Sequence, residues 1–292
     1  MTFPQAITDV SHGGPLPRRR LGRTGFEATI FGLGGEGVLR TQGRMAEAVG
    51  VIQRALAQGV NYFDSAPAYA GCLDYLGAGL EGRRGDVFLA SKTHERTRDR
   101  SLRLLEQTLK RLRTDYLDLW QLHDLRTRDD LERIFGRDGA IHALTEAREE
   151  GRVRFLGITG HHDPSILTEA IGRFEFDTVL VALNAADVHR LSFSRTVRPE
   201  AARLGMGVIA MKVLSQGAIL GPGRLTAEDA IGYVLSLAGV SLAIVGCSTP
   251  AEVDHNAQIA RRFAPFAESR LMELETRTRT GESRLTYYKA PA

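Results

Sequence analysis

Cysteine is scarce in this 292-residue chain: there are two, Cys72 and Cys247, far apart and in no C-x-x-C spacing. That argues against thiolate zinc and iron–sulfur centres and fits a reducing compartment. No apolar run approaches the roughly 20 residues of a membrane span. Neither sign of charge dominates, because 38 Lys and Arg are interspersed with 35 Asp and Glu for a net charge of +3. Such a balance carries no signature of nucleic-acid binding. The N-terminus lacks the basic-then-apolar order of a signal peptide, so the cytoplasm is the expected location. A doubly wound dinucleotide fold would show an early G-x-G-x-x-G, and the glycines of 32–37 do not have that spacing before a helix. An early H-x-H pair on a strand, the usual mark of a metal-dependent barrel, is also missing, and no metal is expected.

What remains is an ordinary globular composition, 43% hydrophobic and 25% charged. Residues 1–17 carry Gly and Pro without periodicity and are expected to be a flexible tail, with a single domain over 18–292. The segment 18–27 predicts a hairpin turning at Gly22 and Gly25, its three arginines on a solvated face. Short apolar strands are expected at 28–33, 62–64, 87–91, 117–122, 153–158, 178–183, 207–211 and 241–245. Helical spacing is expected after each, at 44–58, 73–80, 99–113, 130–149, 164–171, 195–204, 227–238 and 250–262. Thr226 and Asp229 suggest a capping box at the start of the seventh. The tail from 266 shows one amphipathic stretch and then becomes polar. Eight alternating units at this length favour one closed (β/α)8 barrel, an α/β TIM barrel with an N-terminal β-hairpin.

In such a barrel, residues at the C-terminal ends of strands share one rim. Asp64, Lys92 and His123 each end an apolar run, and Tyr69 follows Asp64 across a turn containing Pro67. A phenol with a pKa near 10 is a poor proton donor at neutral pH, and a nearby ammonium is expected to lower that value. Asp64 supplies a counter-charge to Lys92, and a neutral imidazole at His123 can orient a carbonyl oxygen. This set polarises and protonates a carbonyl but contains no source of electrons. Hydride must come from a cofactor, most simply a reduced nicotinamide.

The chain resembles the aldo-keto reductase superfamily over residues 18–262. The resemblance is carried by RRLGRTG, FDSAPAY, the SK ending the third strand, LKRLRTDYLDLWQLH, GITGHHDP and VGCSTPAEVDHN. It implies Tyr69 as general acid and base, Lys92 as its modulator, Asp64 as the partner of Lys92 and His123 as the carbonyl orienter. It also implies NAD(P)H lying extended over the rim, against Gly34, Gly35, Thr159, Gly160, Met211, Lys212, Leu214, Gly217, Gly246, Ser248, Thr249 and Asn256. Several positions depart from the family pattern. Thr159-Gly160 stands where Ser-Asn often grips the nicotinamide amide, Leu180 where glutamine often assists, and Met211 where an aromatic often stacks. The run Gly246-Cys247-Ser248-Thr249 and then Glu252 carries no cation for an adenosine 2′-phosphate, and Glu252 pointing inward would repel one, with Arg261 and Arg262 as the candidates to compensate. The family pattern tips the balance slightly toward NADP(H) over NAD(H). The expected substrate is a small carbonyl compound or an aldose-like sugar. Two competing readings are a Schiff-base lyase using Lys92 and a nicotinamide-binding sensor with little turnover. His161, His162 and Asp163 together with His94 and His123 form the metal alternative; the preferred role of His161 is to line the pocket.

Overall fold

The computed structural model describes residues 14–289. A hairpin comes first, β1 (Arg18–Arg20) paired antiparallel with β2 (Glu27–Thr29). Eight strands follow: β3 (Phe31–Gly37), β4 (Tyr62–Asp64), β5 (Phe88–Thr93), β6 (Leu117–Leu122), β7 (Val153–Gly160), β8 (Thr178–Ala182), β9 (Gly207–Met211) and β10 (Val240–Cys247). They pair in parallel in that order and close from β10 back to β3, which is the expected (β/α)8 barrel. The helices between and after them are α1 (Met45–Ala57), α2 (Cys72–Gly79), α3 (Arg98–Leu112), α4 (Arg128–Phe135), α5 (Ala140–Glu149), α6 (Pro164–Arg173), α7 (Val197–Arg203), α8 (Ala227–Ser236), α9 (Pro250–Arg262), α10 (Glu268–Thr278) and α11 (Glu282–Leu285).

Two apolar layers result. Strand residues pointing outward join the inner faces of the helices, as Phe63, Trp120, Ile158 and Val208 do with Val51, Leu105 and Ala257. Residues pointing inward fill the barrel, among them Tyr62, Phe88, Leu119, Leu180, Ile209 and Leu242. The hairpin closes the bottom, with Leu21 and Ala28 fully buried in that inner layer. Its turn uses Gly22 (φ +50) and Gly25 (φ +70), as expected. A Cβ on Gly22 would sit 2.0 Å from the Gly207 nitrogen, so the position demands glycine for space as well as for φ. Arg19 departs from the solvated-face expectation. Its guanidinium donates to the carbonyls of Leu235 (2.9 Å) and Val240 (2.8 Å), tying the hairpin to the start of β10.

Three other expectations are corrected. The helix expected over 130–149 is two helices, because the chain turns at Gly136–Gly139 and there pairs with the loop after β5: Arg98 N donates to Asp138 O and Ala140 N to Arg96 O. Residues 1–13 of the expected tail lie outside the described residues, and of the remaining four Gly14 and Pro15 are exposed whereas Leu16 and Pro17 are packed. Leu16 is buried, and Pro17 O accepts from Ile30 N. The polar end of the chain also returns to the barrel: Leu285 and Tyr288 are buried, and Lys289 is sealed against Asp187. The capping box at Thr226 and Asp229 is present as expected. Among the described residues, no helix is long and apolar enough to cross a membrane.

Candidate active site

The rim formed by the C-terminal ends of the strands opens into a cavity of about 1130 Å³, at the upper end of the roughly 300–1,000 Å³ common for small-molecule sites. Asp64 ends β4 and is almost wholly buried. The chain then turns, with Ser65 N donating to Ala90 O and Tyr69 N to Ala66 O, and α2 begins three residues beyond Tyr69. This turn lays the Tyr69 ring against β3. A Cβ on Gly35 would lie 2.7 Å from Tyr69 Cδ2 and 2.9 Å from Asp64 O, so the missing side chain makes room for the phenol.

Lys92, on β5, lies below the cavity floor and is 1% exposed. Its Nζ donates to Asp64 Oδ2 (2.5 Å) and Ser65 O (2.8 Å), and stands 5.1 Å from the Tyr69 ring centre. His123 follows β6, its backbone N–H held by Thr93 O at 2.8 Å, and its ring meets Tyr69 edge-on with centroids 6.0 Å apart. Asp64, Lys92 and His123, the polar ends of apolar runs, thus meet Tyr69 in one place.

Their electrostatics follow from burial. The imidazole of His123 is pushed down to about 2, first by desolvation and then by the Lys92 charge, so it is neutral. Asp64 is raised by desolvation, which Lys92 opposes only in part. The Tyr69 phenol is raised well above its ordinary value by burial, then by the Asp64 and Glu36 carboxylates. This reverses the expected lowering. Lys92 is already neutralised by Asp64 at contact distance, so the phenol faces an ion pair rather than a lone cation.

Of the residues expected to hold a cofactor, Gly34, Gly35, Met211, Lys212, Leu214, Gly217, Gly246, Ser248 and Asn256 line the cavity. Thr159, Gly160 and Thr249 do not. Thr159 is buried, its hydroxyl accepting from Asp124 N (3.0 Å), so it positions the loop after β6 instead. Gly160 packs on Leu125 O, and Thr249 is the N-cap of α9. His161 lines the cavity as expected, and Glu36 and Arg40, given no role from sequence, join the walls. Glu36 at the end of β3 pairs with Lys212 beyond β9 (2.8 Å) and with Arg40 (3.1 Å), and the Arg40 guanidinium stands 5.1 Å from the Tyr69 ring centre. His94, Arg96, Asp124, Arg126 and His161 add a polar stretch to the lining.

The metal alternative changes its membership. Asp163 caps α6 through Ser165 N (2.8 Å), and Asp124 takes its place beside His161 and His162. One donor atom from each of these three lies within 4.8 Å of the others, a spacing that can hold a divalent cation. Asp124 Oδ1 is 3.2 Å from His161 Nδ1, while its other oxygen is paired with Arg126 at 2.6 Å. The His161 ring is pushed down to about 4 by burial, against the pull of Asp124.

The cavity can also take an extended dinucleotide. It runs from Tyr69 and His123, past the apolar Leu180, Met211 and Leu214, across the ends of β10 and β3, to Ser248, Glu252, His255 and Asn256 at the start of α9.

Comparison with known proteins bears on the family and the fold. Residues 30–228 match the sequence model of the aldo/keto reductase family. L-galactose dehydrogenase of Arabidopsis thaliana is 28% identical over 278 residues, covering 82% of this chain and 86% of that protein. Among solved structures, the holo form of an aldo-keto reductase from Bacillus halodurans superposes with a TM-score of 0.76 at 22% identity, covering 90% of this chain and 96% of the other. An aldo-keto reductase from Klebsiella pneumoniae in complex with NADPH gives 0.73 at 22% identity, covering 94% and 96%.

Proposed function

The chain belongs to the aldo/keto reductase family and is an NAD(P)-dependent oxidoreductase, and from that premise we propose that it reduces a small aldehyde or ketone to an alcohol with Tyr69 as the proton donor. The observation that carries this reading is the placing of the Tyr69 ring between the Lys92–Asp64 pair and the edge of a neutral His123, at the mouth of the cavity.

Gly34, Gly35, Met211 and Leu214 would hold a reduced nicotinamide in the cavity, and that group would supply hydride for the carbonyl carbon. The protein's part is at the oxygen. His123, neutral across the working pH range, donates a hydrogen bond that orients the carbonyl, and Tyr69 gives its proton to the oxygen as negative charge builds there. A raised phenol pKa keeps the proton in place until the carbonyl needs it. The Lys92 ammonium, 5.1 Å from the ring centre, then stabilises the phenolate until solvent returns the proton. Lys92 is not free to form a Schiff base, because it is buried and held by Asp64 and the Ser65 carbonyl.

The polar stretch of the lining favours a hydroxylated substrate. His94, Asp124, Arg126 and His161 offer donors and acceptors in place of an apolar slot, and the relative named L-galactose dehydrogenase acts on a sugar. Oxidation of an aldose is the same chemistry run backwards.

The test is Tyr69→Phe. Turnover is expected to fall by roughly 10²–10⁴-fold, with nicotinamide binding retained, as followed by quenching of protein fluorescence. Undiminished turnover on a panel of carbonyl compounds and sugars overturns the assignment.

A further inference from the structure

The preceding reading places the nicotinamide beside Tyr69 and His123, so the adenosine lies at the other end of the cavity, against Ser248, Glu252, His255 and Asn256. At that end the start of α9 is already occupied by the protein's own carboxylate. Glu252 Oε2 accepts from Ser248 N at 2.8 Å, and Glu252 N donates to Thr249 Oγ1 at 3.3 Å. Pro250, the first helical residue, has no N–H to offer. Of the first three helical positions only Ala251 retains an amide for an incoming anion, and it stands beside a negative charge.

The Arg and Lys side chains lining the cavity are each engaged by other groups. Arg40 is paired with Glu36 and stands over the Tyr69 ring. Arg96 is held by Asp130 and the carbonyls of His123 and Asp124, and Arg126 by Asp124. Lys212 is paired with Glu36. The arginines expected to compensate do not. Arg261 donates to Gly14 O (2.8 Å) and Gln58 O (3.0 Å), away from the cavity. Arg262 ends α9, about 18 Å along the axis from Pro250 at ~1.5 Å per residue. Among the described lining residues, His255 is the one basic side chain at the adenosine end.

We propose that Glu252 makes this chain selective for NADH over NADPH, reversing the preference that family resemblance alone suggests. A 2′-phosphate brings about −1.5 to −2 charges against a carboxylate that, among the described residues, forms no ion pair with an Arg or Lys. The free ribose 2′-hydroxyl of NADH is instead a hydrogen-bond donor that the second oxygen of Glu252 can accept.

The experiment is equilibrium binding of NADH and of NADPH to the native chain, to Glu252→Gln and to Glu252→Lys, with no substrate present. In the native chain NADH is expected to bind at least about tenfold more tightly, a like-charge penalty moderated by exposure. Glu252→Gln keeps an oxygen to cap Ser248 N and is expected to narrow the ratio, mainly by tightening NADPH. Glu252→Lys is expected to invert it, and thermal melts of both variants establish that α9 is intact. Equal or tighter NADPH binding by the native chain overturns the proposal, as does a ratio unchanged in Glu252→Gln. Binding of neither nucleotide by the native chain overturns the function reading on which the proposal rests.

Discussion

Asp187 and Lys289, 102 residues apart, form an ion pair from which solvent is wholly excluded. Asp187 lies in the turn after β8, where its carboxylate also accepts from Ser192 Oγ, Phe193 N and Ser194 N. Lys289 donates in addition to the carbonyls of Asp187 and Arg190. Removing one partner leaves a buried charge uncompensated. Lys289→Ala is therefore expected to cost about 3–5 kcal/mol of stability, measured by urea unfolding. The loss should reach the active site too, because the neighbouring Tyr288 ring packs edge-on against His161 at 5.8 Å and Leu285 O accepts from Ser215 Oγ. A variant as stable as the native chain would show that the end of the chain is not clamped in this way.

The two histidines with lowered pKa values predict how stability depends on pH. His123 stays neutral in the folded chain down to about 2 and His161 down to about 4, whereas in the unfolded chain both protonate near 6.5. Between about 4 and 6.5 the unfolded state therefore binds more protons, and stability falls as pH falls. Each group contributes up to about 1.4 kcal/mol per pH unit. Urea unfolding at pH 7, 6 and 5 should show the decline, and His161→Asn should reduce its slope by about one proton. No change in slope on that substitution would sink the assignment of His161 as a buried neutral ring.

Much of this arrangement was legible because barrel strands are apolar on both faces, so Asp64, Lys92 and His123 stood out as polar ends of apolar runs. The hairpin was legible from Gly22 and Gly25 for a related reason, since only glycine suits those turns. What stayed hidden depends on neighbours distant in sequence. Asp124 meets His161 and His162 only because β6 and β7 are adjacent, and Glu36 meets Lys212 across the barrel mouth. Lys289 in a polar tail looks like a surface residue, and nothing local marks its partner. The direction of the Tyr69 shift was not legible because it is set first by burial of the phenol and then by the Asp64 and Glu36 carboxylates, and neither the depth of burial nor the approach of Glu36 is marked in the local sequence.

The contact between Gly35 and Tyr69 gives a test of how closely the phenol must be placed. In Gly35→Ala the new methyl would meet the Asp64 backbone oxygen at 2.9 Å and the Tyr69 ring at 2.7 Å. The ring can turn away from the methyl, but the Asp64 oxygen is backbone, so β3 and the end of β4 must also move apart by a few tenths of an ångström. A displacement of about 1 Å at a group that moves a proton can cost on the order of 10²-fold in rate, whereas overpacking of this kind costs about 1–3 kcal/mol of stability. Turnover should therefore fall steeply in a protein that still melts cooperatively. Gly50→Ala serves as the control, because that residue lies inside α1 with nothing within 4 Å of the added methyl. It should leave turnover unchanged and raise stability by about 0.5–1 kcal/mol. If Gly35→Ala keeps native turnover, the position of the Tyr69 ring against β3 does not set the rate.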